Sequence, residues 1–145
     1  MREKLGMSAF LPRPRILVLG LVLVATAGTM MILDLLWLGA IARDFYDAAL
    51  GPLKRPAVLW PAAALFYVFY VAAIVRLVVV PSRGSREAAK RGAVLGLVCY
   101  GTYELTNWAV IAGWPALLVP VDLAWGVFLT SLSGAVGRAL WRPSR

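Results

Sequence analysis

Residues 30–47, MMILDLLWLGAIARDFYD, decide the fold. They close an apolar run that starts near Arg15 and ends near Ile41. About 20 apolar residues at ~1.5 Å rise each cross a bilayer, so a run of this length reads as a membrane span. Ala40-Ile41-Ala42 has the small-x-small form of a signal-peptidase site. The preceding run is roughly twice the 7–15 residues of a signal-peptide core, so it is read as a retained span. Asp34 then stands out, because it lies inside a segment otherwise soluble in lipid.

Working outward, 61% of the 145 residues are hydrophobic and 15% charged, with a mean hydropathy of +0.80. That composition belongs to membrane proteins. The length suits one domain, residues 1–145, and the apolar runs predict an all-α integral membrane four-helix bundle. The spans are expected at about 15–41, 57–80, 88–112 and 117–141, with Pro56 and Pro81 bounding the second.

The net charge of +8 would suit a nucleic-acid partner only on a soluble basic face. Here the basic residues flank apolar runs, so no nucleic acid is expected. Arg2, Lys4, Arg13, Arg15, Arg83, Arg86, Lys90, Arg91, Arg138, Arg142 and Arg145 fall on one side of the four spans. Arg43, Lys54 and Arg55 fall on the other. Eleven against three places both termini in the cytoplasm. Phe45, Tyr46, Trp60 and Trp114 then lie at the outer interface and Trp141 at the inner one, as belt residues.

Several chemistries are excluded by residue type. Histidine is absent, which removes the commonest haem, zinc and copper ligand and the usual neutral-pH base. Every lysine flanks a span, leaving no buried amine for a Schiff base. Cys99 is alone, so no disulfide forms within the chain. No cofactor and no metal are predicted; oxygen ligands alone would favour a hard ion over iron.

Three carboxylates remain inside spans: Asp34, Glu104 and Asp122. Each costs about 2.5–3.5 kcal/mol at mid-bilayer, so each needs a reason to be there. Counted from the outer boundary, they lie roughly 10, 13 and 8 Å deep, in one layer of the outer leaflet. Asp34-Leu-Leu-Trp37 and Asp122-Leu-Ala-Trp125 share a pattern, and Glu104 has Trp108 four residues on. That spacing puts acid and indole on one helix face.

Tyr100, Tyr103, Glu104, Asn107 and Ile111 form a helical stripe, so this face of the third span is expected to point inward. Tyr67 and Tyr70 on the second span lie near mid-depth. Two readings of the four tyrosines stand side by side: the floor of a site, or hydroxyls bonding neighbouring helices. Thr102 and Thr106 are expected to bond carbonyls of their own helix. Arg76 lies near the cytoplasmic end and is expected to snorkel away from the acids. Arg43, Lys54 and Arg55 are the only cations placed to fold over the layer. Without them, desolvation and mutual repulsion leave one or more acids protonated.

DLLWLGAIARDFYDAALG, LFYVFY, YGTYELTNWAV and the WP and VDLAWG of the last span, in that order, resemble the bacterial membrane proteins of domain-of-unknown-function family 2177. The resemblance covers about Leu33 to Gly126. It carries over Asp34, Trp37, Phe45, Tyr46, Phe66, Tyr67, Tyr100, Thr102, Tyr103, Thr106, Asn107, Asp122 and Trp125 as family residues. An aspartate is expected where this chain has Glu104, so its site reaches one methylene further. The resemblance implies a four-helix inner-membrane protein set near lipid-modifying genes, and brings no activity with it.

The leading expectation is binding of a membrane lipid or small amphiphile in an outer-leaflet cavity. Asp34, Trp37, Tyr67, Tyr70, Tyr100, Tyr103, Glu104, Asn107, Asp122 and Trp125 would line it. A proton-coupled exporter, as a homodimer, is the second. A subunit of a lipid-modifying enzyme is the third. A structural subunit of a larger membrane complex, packing through Gly92, Gly96, Gly134 and Gly137, is the fourth, although Gly92-x3-Gly96 more often seats one helix against another within a chain. No nucleophile motif marks a catalytic residue, so an enzyme is the weaker expectation.

Overall fold

The computed structural model describes residues 15–141, and every regular element among them is helical. Helix α1 (Arg15–Leu36) runs into a π-helical turn, Trp37–Ile41. A short helix α2 (Arg43–Leu50) follows. Next come α3 (Trp60–Ala73), extended by a π-helical segment over Ile74–Val79, then α4 (Ser85–Val110) and α5 (Leu118–Leu140). Arg2, Lys4, Arg13, Arg142 and Arg145, which enter the charge count, lie outside the described residues.

Local chemistry sets the ends. The apolar run suggests a helix from Ala57, but α3 begins at Trp60, with Pro61 in its first turn. Proline is suited to that position because the amide it lacks would have no helical partner there. Helix α4 starts at Ser85, ahead of the apolar run. There the Glu87 carboxylate reaches back to the Arg83 amide at 2.9 Å and forward to Arg91. This one-sided cap, Glu87 accepting from the Arg83 amide ahead of the Gly84 N-cap, extends the helix into polar sequence. The α4–α5 connection turns on Gly113, whose φ of 81° favours glycine.

The interior is built on α5, which packs against α1, α4 and the π-helical end of α3. Consecutive long helices run antiparallel: Thr26 of α1 meets Gly137, while Asp34, two turns on, meets Trp125. On α4, residues 88, 92 and 96 step by four along the face that meets α5, and all are buried. A Cβ on Gly92 would stand 2.5 Å from the Thr130 carbonyl oxygen, and one on Gly96 would collide with the Gly126 backbone. Gly126 in turn lies under the Tyr100 ring. Gly134 takes Val78 of α3 and Gly137 takes Thr26 of α1. The glycines expected to offer faces to a larger complex are therefore consumed inside the chain, where close approach replaces a hydrophobic drive.

Polarity is distributed inside out. Thr26, Asp34, Ser82, Glu104, Asp122, Thr130 and Ser133 are buried, whereas Val24, Phe69 and Val110 are among many large apolar side chains left exposed. A soluble protein avoids such a surface. Three helical segments, Ile16–Ile41, Trp60–Val79 and Leu118–Leu140, are long and apolar enough to cross a membrane. At the end away from the acids, the Arg138 guanidinium donates to the carbonyls of Ser82 (2.6 Å), Arg83 (2.8 Å) and Trp141 (2.6 Å), locking the α3–α4 turn against α5.

Candidate functional site

The three acids are buried together with aromatic donors drawn from several parts of the chain. Asp34 on α1 accepts from the Tyr67 hydroxyl of α3 at 2.9 Å and from the Trp125 indole N–H of α5 at 3.2 Å. Asp122 on α5 accepts from the Tyr46 hydroxyl of α2, and that oxygen itself accepts from the Trp37 indole at 3.1 Å. Glu104 on α4 is fully buried and accepts at Oε2 from the Trp114 indole at 2.9 Å.

Spacing puts each acid on one helix face with an indole of its own helix. The hydrogen bonds cross: Trp125 serves Asp34, and Trp37 serves the Tyr46–Asp122 pair. The two indoles stack where they pass, with centroids 4.6 Å apart and planes 7° from parallel. The π-helical turn over Trp37–Ile41 comes after both Asp34 and Trp37, and its extra residue turns the chain that leads from it into α2, which carries Tyr46. Trp108, which spacing puts on the face of Glu104, is 52% exposed, and Trp114 from the α4–α5 turn bonds the acid.

The α2 helix was expected as irregular loop. It instead carries Tyr46 to Asp122, so Tyr46 and Trp114, expected as interface aromatics, are hydrogen-bond donors to the buried acids. The loop cations do not cover the acids. Lys54 bonds Asp47, and Arg43 approaches the same carboxylate at 3.9 Å. The Lys54 ammonium holds the exposed Asp47 carboxyl below its ordinary range. That pairing is therefore present at neutral pH and is lost only as acid titrates Asp47 below its unfolded value. Arg43 and Lys54 are thus engaged by Asp47 of α2, and the buried acids accept from neutral donors.

The remaining expected residues divide. Tyr70 bonds Thr130 at 2.7 Å and so ties α3 to α5, apart from the carboxylates. Tyr100 packs on Gly126 and meets Tyr70 edge-on at 6.3 Å. Tyr103 does not point inward: it is 56% exposed and sets its ring edge to Trp114 at 5.9 Å. Asn107 is half-buried, and Ile111 is exposed. The inward face of α4 follows the glycine row through Tyr100 to Glu104, because the approach to α5 fixes which side is buried. Thr106 bonds the Thr102 carbonyl at 2.5 Å, in its own helix.

One polar atom in the layer is left over. Glu104 Oε1 is buried without a hydrogen-bond partner among the described residues, and Glu104 lies against Asp122. Two adjacent carboxyls facing each other need a proton or an added donor between them. Removing the Tyr46 hydroxyl tests how firmly α2 is held. Tyr46→Phe is expected to cost about 1–2 kcal/mol and to speed amide exchange across α2 while leaving α4 and α5 protected. Unchanged exchange in α2 would show that the hydroxyl does not hold the lid.

Neither the curated proteins nor the solved structures hold a match to this chain. A family model described as predicted membrane protein (DUF2177) matches residues 19–139, which takes in all three acids, Tyr46, Trp114 and the stacked indoles. The chain belongs to this family of membrane proteins.

Proposed function

We propose that this is a four-span protein of the bacterial inner membrane, with both termini cytoplasmic, that binds a small amphiphile with a cationic head in the acid layer beneath α2. Its 26 residues make α4 about 39 Å long, enough for the fourth span although its composition is more polar. The eleven-to-three bias of Lys and Arg supports the orientation.

The observation that carries the binding reading is the unpartnered Oε1 of Glu104 beside Asp122. An ammonium group supplies donors to that oxygen and positive charge to both carboxyls, and the stacked Trp37 and Trp125 lie close by as a flat apolar wall. The site is closed by its own side chains, so entry requires Tyr46 to leave Asp122 and α2 to lift. Native mass spectrometry of protein purified in mild detergent, wild type against Asp34→Asn and Asp122→Asn, tests this. An adduct of one mass in wild type, absent from both variants, is the expected result. Bulk lipid alone on wild type, with variants that fold equally well, overturns it.

The same carboxyl pair favours a second reading, proton-coupled export, because a single shared proton also satisfies Oε1. Liposomes carrying the protein would then release a preset proton gradient when a hydrophobic amine is added. No release beyond that of empty liposomes removes this reading.

A further inference from the structure

At the end of the bundle away from the acids, a groove of about 450 Å³ opens between α4 and the π-helical segment of α3. Its walls are Leu77, Val94, Leu95 and Val98, and its mouth carries Lys90 and Arg91. We propose that this groove is a binding site for one anionic glycerophospholipid, with an acyl chain along the apolar wall and its phosphate at Lys90. The proposal is independent of the acid layer, since Lys90 lies 14 residues, or about 21 Å, from Glu104 along α4.

Three observations select this occupant. First, residues 90, 94 and 98 and residues 91 and 95 form two neighbouring rows at four-residue spacing, so the cations and the apolar wall belong to one helix face. Second, the rise from Lys90 to Val98 along α4 is about 12 Å, close to the roughly 15 Å depth of one leaflet's hydrocarbon. Third, the charge is of one sign and partly uncommitted. Arg91 pairs with Glu87 at 2.9 Å, and Glu87 is held to the Arg83 amide, whereas Lys90 has no ion pair among the described residues. Glu87 stays ionised, its carboxyl held below the usual range by that amide and by Arg91. It is thus engaged on the Arg91 side. A zwitterionic lipid would gain the same apolar contact but no net attraction to the free ammonium.

Native mass spectrometry of the detergent-solubilised chain, titrated with phosphatidylglycerol and with phosphatidylcholine of identical chains, reads the site directly. Wild type is expected to retain phosphatidylglycerol preferentially. Lys90→Gln is expected to lower that retention about five-fold, the effect of one interfacial charge, and to leave phosphatidylcholine unchanged. Arg43→Gln, on α2, keeps the wild-type ratio. Val94→Trp, which fills the groove, lowers retention of both lipids. Equal retention of the two lipids by wild type overturns the proposal. So does an unchanged ratio in a Lys90→Gln protein whose melting matches wild type.

Discussion

Gly96→Val is expected to force α4 off α5 and to cost about 3 kcal/mol of bundle stability, at the upper end for overpacking. The collision is with backbone: a Cβ at this position falls on the Gly126 carbonyl, which no rotamer change can move aside. Neither helix can shift alone, because Gly92 is seated on Thr130 one turn away and Tyr100, one turn further along the same face of α4, lies against Gly126. Unfolding of the purified protein in mixed micelles of rising denaturing-detergent fraction measures the loss. Gly101→Ala is the matched control, since nothing lies within 4 Å of its Cβ. It should unfold with wild type or slightly later, alanine being the better helix former by about 0.5–1 kcal/mol. Coincident unfolding of Gly96→Val and wild type would mean that the seam does not hold the bundle.

Asp34→Leu is expected to cost about 3 kcal/mol in the same measurement, and Asp34→Asn less than about 1 kcal/mol. Leucine leaves the Tyr67 hydroxyl and the Trp125 indole unsatisfied in the interior, at about 1–3 kcal/mol each. It also removes an acid that separated helices would have to expose to lipid, a further loss for the assembled state. Asparagine keeps a carbonyl oxygen for Trp125, and the Tyr67 hydroxyl can accept as readily as donate. Freed of its bond to Asp34, Trp125 should drift off Trp37, so near-ultraviolet circular dichroism should lose the signal of two coupled indoles in Asp34→Leu only. Equal stability of the leucine and asparagine variants would show that these hydrogen bonds contribute nothing.

Rise per residue is fixed once a helix is granted, so the sequence puts Asp34, Glu104 and Asp122 at similar heights, and all three lie buried among aromatic donors. Partners were not readable. A three-residue spacing puts Trp37 on the helix face of Asp34, but it does not say that the indole bonds Tyr46 of the next helix. Trp114 and Tyr46 were read as interface residues from their position near span ends, and enrichment at an interface does not say where an N–H or O–H points. One signal was available for α2: Asp44 at its start and the Arg43–Asp47 spacing are helical features, overlooked while the segment was read as loop. The glycines on α4 admit two readings from sequence, a face for a partner or a seat for a neighbouring helix of the same chain, and the structure takes the second. Their row continues through Tyr100 to Glu104, and an acid on the same row indicates that the row faces inward.

The seam between α4 and α5 also bears on how the protein is made. Helix α4 leaves the ribosome before α5, carrying Glu104, the Arg91 and Lys90 charges and a bare row of glycines that only α5 covers. Taken as a span, it would enter the bilayer poorly by itself, because nothing yet shields its acid and its exposed backbone. The translocation machinery would therefore have to retain α4 until α5 emerges and release the two as a hairpin. A chain stopped after Val110 should accordingly be a target for membrane quality-control proteolysis, although every residue of α4 is present.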